Sequence, residues 1–371
     1  MSATHESPTN PEIIGVRSGK VFVTGGSGHV GAHLVRRLLQ DGEDIRCLVE
    51  PGGDRRAFEG LPVELVEGDI RDEDAMTRVI AGCNRVYHVA AKISILSPSA
   101  NEFKDIFSIN VLGARNVMRA AHANGVQRAV LTGSFSAVGY DPDDPSKPST
   151  DEMPHWPYDS GVMPYARSKA LAEHEMLKVV ADGLDAVIAT SCSCIGAWDY
   201  FPSRMGRTMC DFAKGKVRAW VPGGFEFVAG RDIAEGHVAA MARGRRGHKY
   251  VFATHFHTLG DLIEMWRECV GPRSRPLKIP AGLMSAVSSV YSGALSRFFP
   301  NVPQRLTPGS IRILTMQRRA DTSRAQGELG WRPTSIREAV QAAYEFFADQ
   351  GMIDRAVLVS VPANLDHEAA Q

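Results

Sequence analysis

The chain has 371 residues, of which 44% are hydrophobic, 23% charged and 8% aromatic, and these are ordinary globular values. Lysine plus arginine and aspartate plus glutamate both number 42, for a formal net charge of zero. That balance argues against a nucleic-acid partner, because binding a phosphate backbone needs a basic excess, and it leaves a small-molecule substrate open.

In chain order, residues 1–18 read as a polar, proline-bearing tail without an apolar signal core. From Lys20, KVFVT is a short β-branched run, followed by glycines and the helical pattern VGAHLVRRLLQDG. IRCLV, VELVEG, RVYHVAA, RAVLTGS and LDAVIATS are further strands, with the helix-like INVLGARNVMRAAHANG among them. Strands alternating with helices predict a parallel sheet covered on both faces. Right-handed crossovers make it a doubly wound α/β sheet with its ligand at the carboxyl ends of the strands. This places the doubly wound sheet domain in residues 19–195.

Beyond residue 195 the composition shifts to Trp198, Tyr200, Phe201, Met205, Met209, Phe212, Trp220, Phe225 and Phe227, interrupted by proline and glycine. Residues 196–350 are read mainly as a smaller, discontinuous substrate lobe, with strands near 225–256, KYVFATH among them, returning to the sheet. The stretch 281–299, AGLMSAVSSVYSGALSRFF, is too interrupted to span a bilayer and is read as a helix over a pocket or on the core. Residues 351–371 are read as a tail. Of the six cysteines, only Cys192 and Cys194 are close. Their spacing is no metal signature, so they are taken as reduced thiols of a cytoplasmic enzyme that holds no metal.

The first motif is Val23-Thr24-Gly25-Gly26-Ser27-Gly28-His29-Val30-Gly31, a G-x-x-G-x-x-G on Gly25, Gly28 and Gly31. It follows a strand and opens a helix, the context that gives such glycines meaning. Glycine lets the backbone turn and approach a pyrophosphate, and the helix starting near His29 offers free N–H groups and a positive dipole end. Glu50 ends the second strand, where an acid accepts ribose hydroxyls and repels a 2′-phosphate. Arg55 and Arg56 stand near enough to reach such a phosphate. Asp69 and Ile70 of EGDI sit where a carboxylate can meet the adenine amino group, although Asp69 taken alone also reads as a solvated strand-end acid. NAD(H) is therefore favoured, with NADP(H) open.

The second motif is Tyr165-Ala166-Arg167-Ser168-Lys169. Residues four apart share a helix face, so phenol and ammonium point together. A tyrosine titrates near about 10, and an adjacent ammonium lowers that value. Tyr165 can then give a proton to a carbonyl oxygen or take one from an alcohol. Ser134, at the carboxyl end of RAVLTGS, can orient the reacting oxygen, with Ser136 a rival two residues on.

These residues resemble the extended short-chain dehydrogenase/reductases, the NAD-dependent epimerase/dehydratase superfamily. The resemblance runs from about Lys20 to about Gln350 and is carried by TGGSGHVG, EGDI, HVAA with Ala90 and Ala91, NVLGARNV, LTGSFSAVG, YARSK and RDIAEGH. It implies a Rossmann fold, Ser134, Tyr165 and Lys169 as catalytic residues, and a cofactor held by Gly25, Gly28, His29, Val30, Gly31, Glu50, Asp69, Ile70, Ala90, Ala91, Tyr165 and Lys169. It further implies a structural role for Asn110, a homodimer and no stable membrane insertion. DFAKGKVRAWVPGGFEFVAGRDIAEGH and RRADTSRAQGELGWRPTSIREAV are similar to the dihydroflavonol-reductase, hopanoid-associated and 3β-hydroxysteroid dehydrogenase branch. TSCSCIG departs from the family by lacking its usual asparagine-proline pair.

The expected activity is interconversion of a secondary alcohol and a ketone on a fairly apolar aryl, steroid-like or polyketide-like substrate. A nucleotide-sugar epimerase with bound NAD is the alternative, kept open by Arg204, Arg207 and Arg218, and a non-catalytic dinucleotide sensor is the second. Aromatics of the 198–227 segment, with Trp156 and Tyr158, are expected to wall the pocket beside the nicotinamide.

Overall fold

The computed structural model describes residues 19–93, 100–141, 143–144, 146–155, 163–273, 276–280 and 314–359. The expected tail 1–18 and the 281–299 segment lie outside the described residues. The strands, in chain order, are β1 Lys20–Thr24, β2 Ile45–Val49, β3 Glu64–Glu67, β4 Cys83–His88, β5 Arg128–Ser134, β6 Ala186–Ser191, β7 Ser193–Ile195, β8 Ala219–Trp220, β9 Gly224–Ala229, β10 Lys249–Phe252, β11 His255–Thr258 and β12 Leu277–Lys278. The α-helices are α1 His29–Gln40, α2 Glu73–Ile80, α3 Ala100–Phe107, α4 Gly113–Ala123, α5 Pro164–Asp182, α6 Arg204–Ala213, α7 Gly230–Arg243, α8 Leu259–Val270, α9 Ser323–Leu329 and α10 Ile336–Asp349.

Seven strands form one sheet in the order β10-β6-β5-β4-β1-β2-β3, with every neighbouring pair parallel. This is the doubly wound Rossmann arrangement. The direction of winding reverses between β1 and β4, which opens a crevice at their carboxyl ends. Alternation along β1 shows why both faces are covered. Val21 and Val23 pack with Leu34, Val35 and Leu38 of α1 and Ile233 of α7. Phe22 points the other way, to Met76 and Ile80 of α2 and to Val117 and Met118 of α4. Such two-sided burial produces the near-continuous apolar strands seen in the sequence.

The second lobe has its own core. Phe212, Phe227, Trp266, Tyr344 and Phe347 meet there, from α6, β9, α8 and α10. Of the strands expected near 225–256, only Lys249–Phe252 joins the main sheet, beside β6. Gly224–Ala229 instead pairs with β11 and β7 in a separate three-stranded sheet. Nor are the residues just after 350 loose, since Arg355–Val357 forms a 3-10 turn and the Val359 N–H donates to the Cys269 carbonyl at 2.8 Å. All six cysteines are unbonded. Among the described residues no helix is long and apolar enough to cross a membrane.

Asp232, in the first turn of α7, ties the C-terminal elements to the sheet. It is 1% exposed. Its carboxylate accepts from the Thr254 hydroxyl at 2.5 Å, the Thr334 N–H at 2.9 Å and the Thr334 hydroxyl at 2.8 Å, while its carbonyl accepts from the Trp331 indole at 2.8 Å. A buried donor left without an acceptor costs about 1–3 kcal/mol. Asp232→Ala strands three donors, so urea unfolding should show a stability loss of about 3 kcal/mol or more. A loss below about 1 kcal/mol would remove Asp232 as the tie between the lobes.

Candidate active site

The glycine loop closes tightly on its neighbours. Gly25 has φ +71°, and a Cβ there would lie 2.5 Å from the Ala90 backbone nitrogen. A Cβ on Gly31 would lie 2.0 Å from the Gly25 carbonyl oxygen. Glycine is required at both positions for loop, helix and post-β4 segment to meet. The Ala90 N–H also donates to the Thr24 hydroxyl at 3.2 Å, and Ala91 follows, half-buried. Gly28 caps α1 without a side-chain hydrogen bond, and no acid occupies the first turn. The N–H groups of His29, Val30 and Gly31 thus remain for an anion. A cradle that any Cβ would fill, beside an uncapped helix start, fits a dinucleotide pyrophosphate. The His29 side chain turns away toward the second lobe, with Nδ1 4.0 Å from Asp199 and Nε2 3.9 Å from the Cys194 sulfur. Burial lowers its pKa.

At the adenosine end, Glu50 is exposed just beyond β2. Arg55 and Arg56, the arginines the sequence sets near it, are each engaged by a carboxylate, Arg55 by Glu67 and Arg56 by Asp54, the latter at 2.8 Å. Asp69 accepts from the Arg71 guanidinium and backbone N–H, and those Arg71 bonds hold its carboxyl below the usual range. Ile70 buries its side chain beneath α4, where a Cβ on Gly113 would lie 2.7 Å from it. Its carbonyl accepts from Asn116 at 3.1 Å, so Ile70 shapes the loop from below.

Ser134 ends β5, in register with Ser191 of β6. Tyr165 and Lys169 lie one turn apart on α5, and the Tyr165 phenol hydrogen-bonds Ser134. Ser136, the rival, bonds Ser134 itself, with the two hydroxyls 2.8 Å apart. Lys169 is 4% exposed and donates to the Thr132 carbonyl at 2.5 Å. Burial lowers it to about 8, opposed by the charge of Glu173. The expectation that the ammonium lowers the phenol is not met in this arrangement. Burial raises Tyr165, and the Ser134 bond offsets that only in part. Asn110 is tied to the Lys92 backbone at 2.7 and 2.9 Å and to the Ser168 hydroxyl at 2.9 Å.

Three buried polar groupings near Lys169 escaped the sequence reading. Thr24 bonds His88 at 2.7 Å, Thr132 bonds His237 at 2.8 Å, and Glu173 takes His155 at 2.7 Å and Lys249 at 2.6 Å. A signal existed for Glu173, which extends the Tyr165–Lys169 face by one more turn of four residues. Threonines and a histidine inside otherwise apolar strands marked the other two.

The aromatic stretch is divided differently from the expectation. Met209, Phe212 and Phe227 are packed into the lobe core. Trp198 lies edge-on to His33 at 4.6 Å and under Arg36 at 4.8 Å, and Tyr200 accepts from Arg36 at 2.9 Å. These rings hold the lobe against α1. Phe135 directly follows Ser134, and Arg318 lies over its ring and that of Tyr140, at 4.7 and 5.1 Å. Arg318 donates to the Val138 and Gly139 carbonyls at 2.7 and 2.9 Å. Of the arginines kept for a diphosphate, Arg207 turns back to the Pro202 carbonyl at 2.6 Å, and Arg218 is exposed beside β8. Trp156 and Tyr158 lie outside the described residues.

The chain is 40% identical over 336 residues to a protein named Sterol demethylase protein B from Methylococcus capsulatus, covering 90% of this chain and 99% of that one. It is 30% identical over 338 residues to a protein from Synechocystis sp. named for dihydroflavonol 4-reductase, covering 90% and 95%. Among solved structures, that of gox2253 superposes with a TM-score of 0.77 at 30% identity, covering 91% of this chain and all of the other. A nucleoside-diphosphate-sugar epimerase from Pseudomonas aeruginosa, at TM-score 0.75 and 19% identity over 91% of this chain and all of that one, shares the fold. Residues 21–253 match the NAD dependent epimerase/dehydratase family. The chain belongs to that family and is an NAD-dependent oxidoreductase of its extended short-chain dehydrogenase/reductase type.

Proposed function

We propose that this enzyme interconverts a secondary alcohol and a ketone on an apolar, steroid-like substrate. The observation that carries the reading is the placement of Ser134 at the end of β5 and of Tyr165 and Lys169 one turn apart on α5, with the Lys169 ammonium on the Thr132 carbonyl at the carboxyl edge of the sheet. NAD held by the glycine loop would supply or take up the hydride at this edge. Tyr165 passes a proton to or from the substrate oxygen, and Ser134 orients that oxygen. Lys169, one turn along the same face, holds the ribose side of the site. The steroid-like class is supported by the sterol demethylase relative and by a relative from Mycobacterium tuberculosis named 3 beta-hydroxysteroid dehydrogenase/Delta 5-->4-isomerase, 31% identical over 215 residues.

Two outcomes are expected. Tyr165→Phe keeps the ring but cannot relay a proton. It should lower turnover of a 3-hydroxysteroid or 3-ketosteroid by about 10²–10⁴-fold, with NADH binding nearly unchanged. Wild-type turnover by this variant would refute the assignment. NADH should also bind more tightly than NADPH, since Glu50 meets a 2′-phosphate as a like charge while Arg55 and Arg56 are engaged elsewhere. About 1.4 kcal/mol of such repulsion gives roughly tenfold in a fluorescence titration. Tighter NADPH binding would show that an arginine leaves its carboxylate to hold the phosphate.

A further inference from the structure

Glu173 lies one turn beyond Lys169 on α5 and is fully buried. A carboxylate in such a place is costly unless charges and hydrogen bonds compensate it. Lys249 of β10 and His155 of the post-β5 segment both reach one of its oxygens, Oε2, at 2.6 and 2.7 Å. His174, the next residue of α5, stands 3.1 Å from the far nitrogen of His155. The other oxygen, Oε1, has no hydrogen-bond partner among the described residues. It is directed at β5, where a Cβ on Gly133 would lie 3.0 Å from it and 2.7 Å from the Thr190 hydroxyl. Gly133 directly follows Thr132, whose carbonyl holds the Lys169 ammonium.

The groups facing Lys169 from other elements are Thr132 of β5, His88 of β4 and His237 of α7. From its own helix they are Tyr165 and Glu173. Burial, with Lys169 adding to it, pushes His88 down to about 3 and His237 to about 4, so both are neutral. Of these neighbours, only Glu173 is an anion at neutral pH.

We propose that Glu173 is the counter-charge and positioning residue of Lys169, steadying the ammonium at the edge of β5 while Lys249 and His155 anchor the carboxylate from behind. The charge of Glu173 raises Lys169 against the desolvation that lowers it. This rests on the proposed reaction only in taking Lys169 as the lysine that serves the cofactor.

The test uses NADH binding, read by nicotinamide fluorescence in the whole protein from about pH 5 to about pH 10, and needs no substrate. A failure to turn over steroids therefore leaves it intact. Wild-type affinity should fall as pH rises through the ionisation of Lys169, and Lys169→Met should abolish the step. Glu173→Gln should move the step down by about one to three pH units. Glu173→Asp, whose carboxylate is one methylene further back, should move it in the same direction by less. Lys249→Met breaks the same ion pair but leaves the carboxylate to Lys169, so its step should stay or rise. The proposal is overturned if neither Glu173 variant moves the step, if Lys249→Met lowers it as far as Glu173→Gln, or if Lys169→Met removes no step. Any of these would leave Glu173 as a partner of Lys249 and His155 only.

Discussion

The proposed site is organised around a buried lysine, which to serve a cofactor would have to stay a cation. Lys169 lies beneath the carboxyl edge of β5, and desolvation alone lowers its pKa. Cationic neighbours would lower it further. The two nearest histidines are kept from becoming cations by burial and by fixed partners. The Ile233 carbonyl is 2.7 Å from His237 Nδ1 and can only accept, so that nitrogen carries the proton. His237 Nε2 must then accept from the Thr132 hydroxyl. In this way one residue, Thr132, satisfies a neutral histidine with its side chain and an ammonium with its carbonyl.

The second lobe reaches the cofactor loop through α1. His29 and His33 lie on the first two turns of that helix, and each faces the lobe rather than the crevice. His33 bonds the Ala197 carbonyl at 2.9 Å, and a Cβ on Gly230 at the start of α7 would lie 2.0 Å from its ring. Asp199 is 3% exposed and accepts the Ser203 N–H with both oxygens, at 3.0 and 2.8 Å, which fixes the chain where it leaves the sheet. The helix whose N-terminus awaits an anion is therefore the one on which the lobe is seated. The backbone of its first turn serves one partner and its side chains the other.

Much of this was legible in the sequence. Strand alternation gave the winding, and Gly25, Gly28, Gly31, Ser134, Tyr165 and Lys169 all fall on the carboxyl edge, because short motifs in a doubly wound sheet inherit their place from the topology. Burial was less legible. A run from Trp198 to Phe227 looks the same whether its rings face a ligand or their own core. The choice was made by partners far along the chain, among them Trp266 and Phe347. Arg55 and Arg56 were open as phosphate ligands until Glu67, from a different strand, and Asp54 were found beside them. Glu173 was hidden for the same reason, since its partner Lys249 lies on a strand 76 positions later in the chain.

The largest departure from the sequence argument concerns the proton of Tyr165. Spacing alone makes the ammonium the dominant influence on the phenol, because the two share a helix face. Once the helix is packed, desolvation acts on both groups, raising the acid form of tyrosine and the base form of lysine. The hydrogen bond to Ser134 opposes this for the phenol, and Glu173 opposes it for the ammonium. At neutral pH the proton therefore rests on Tyr165, the protonation state that the proposed reduction of a carbonyl would need. Taking a proton from an alcohol would require the phenol to ionise first, and the group that favours that charge here is Ser134. Ser134 thus acts on the phenol in the direction opposite to burial, as Glu173 acts on the ammonium, and neither reverses the effect of burial.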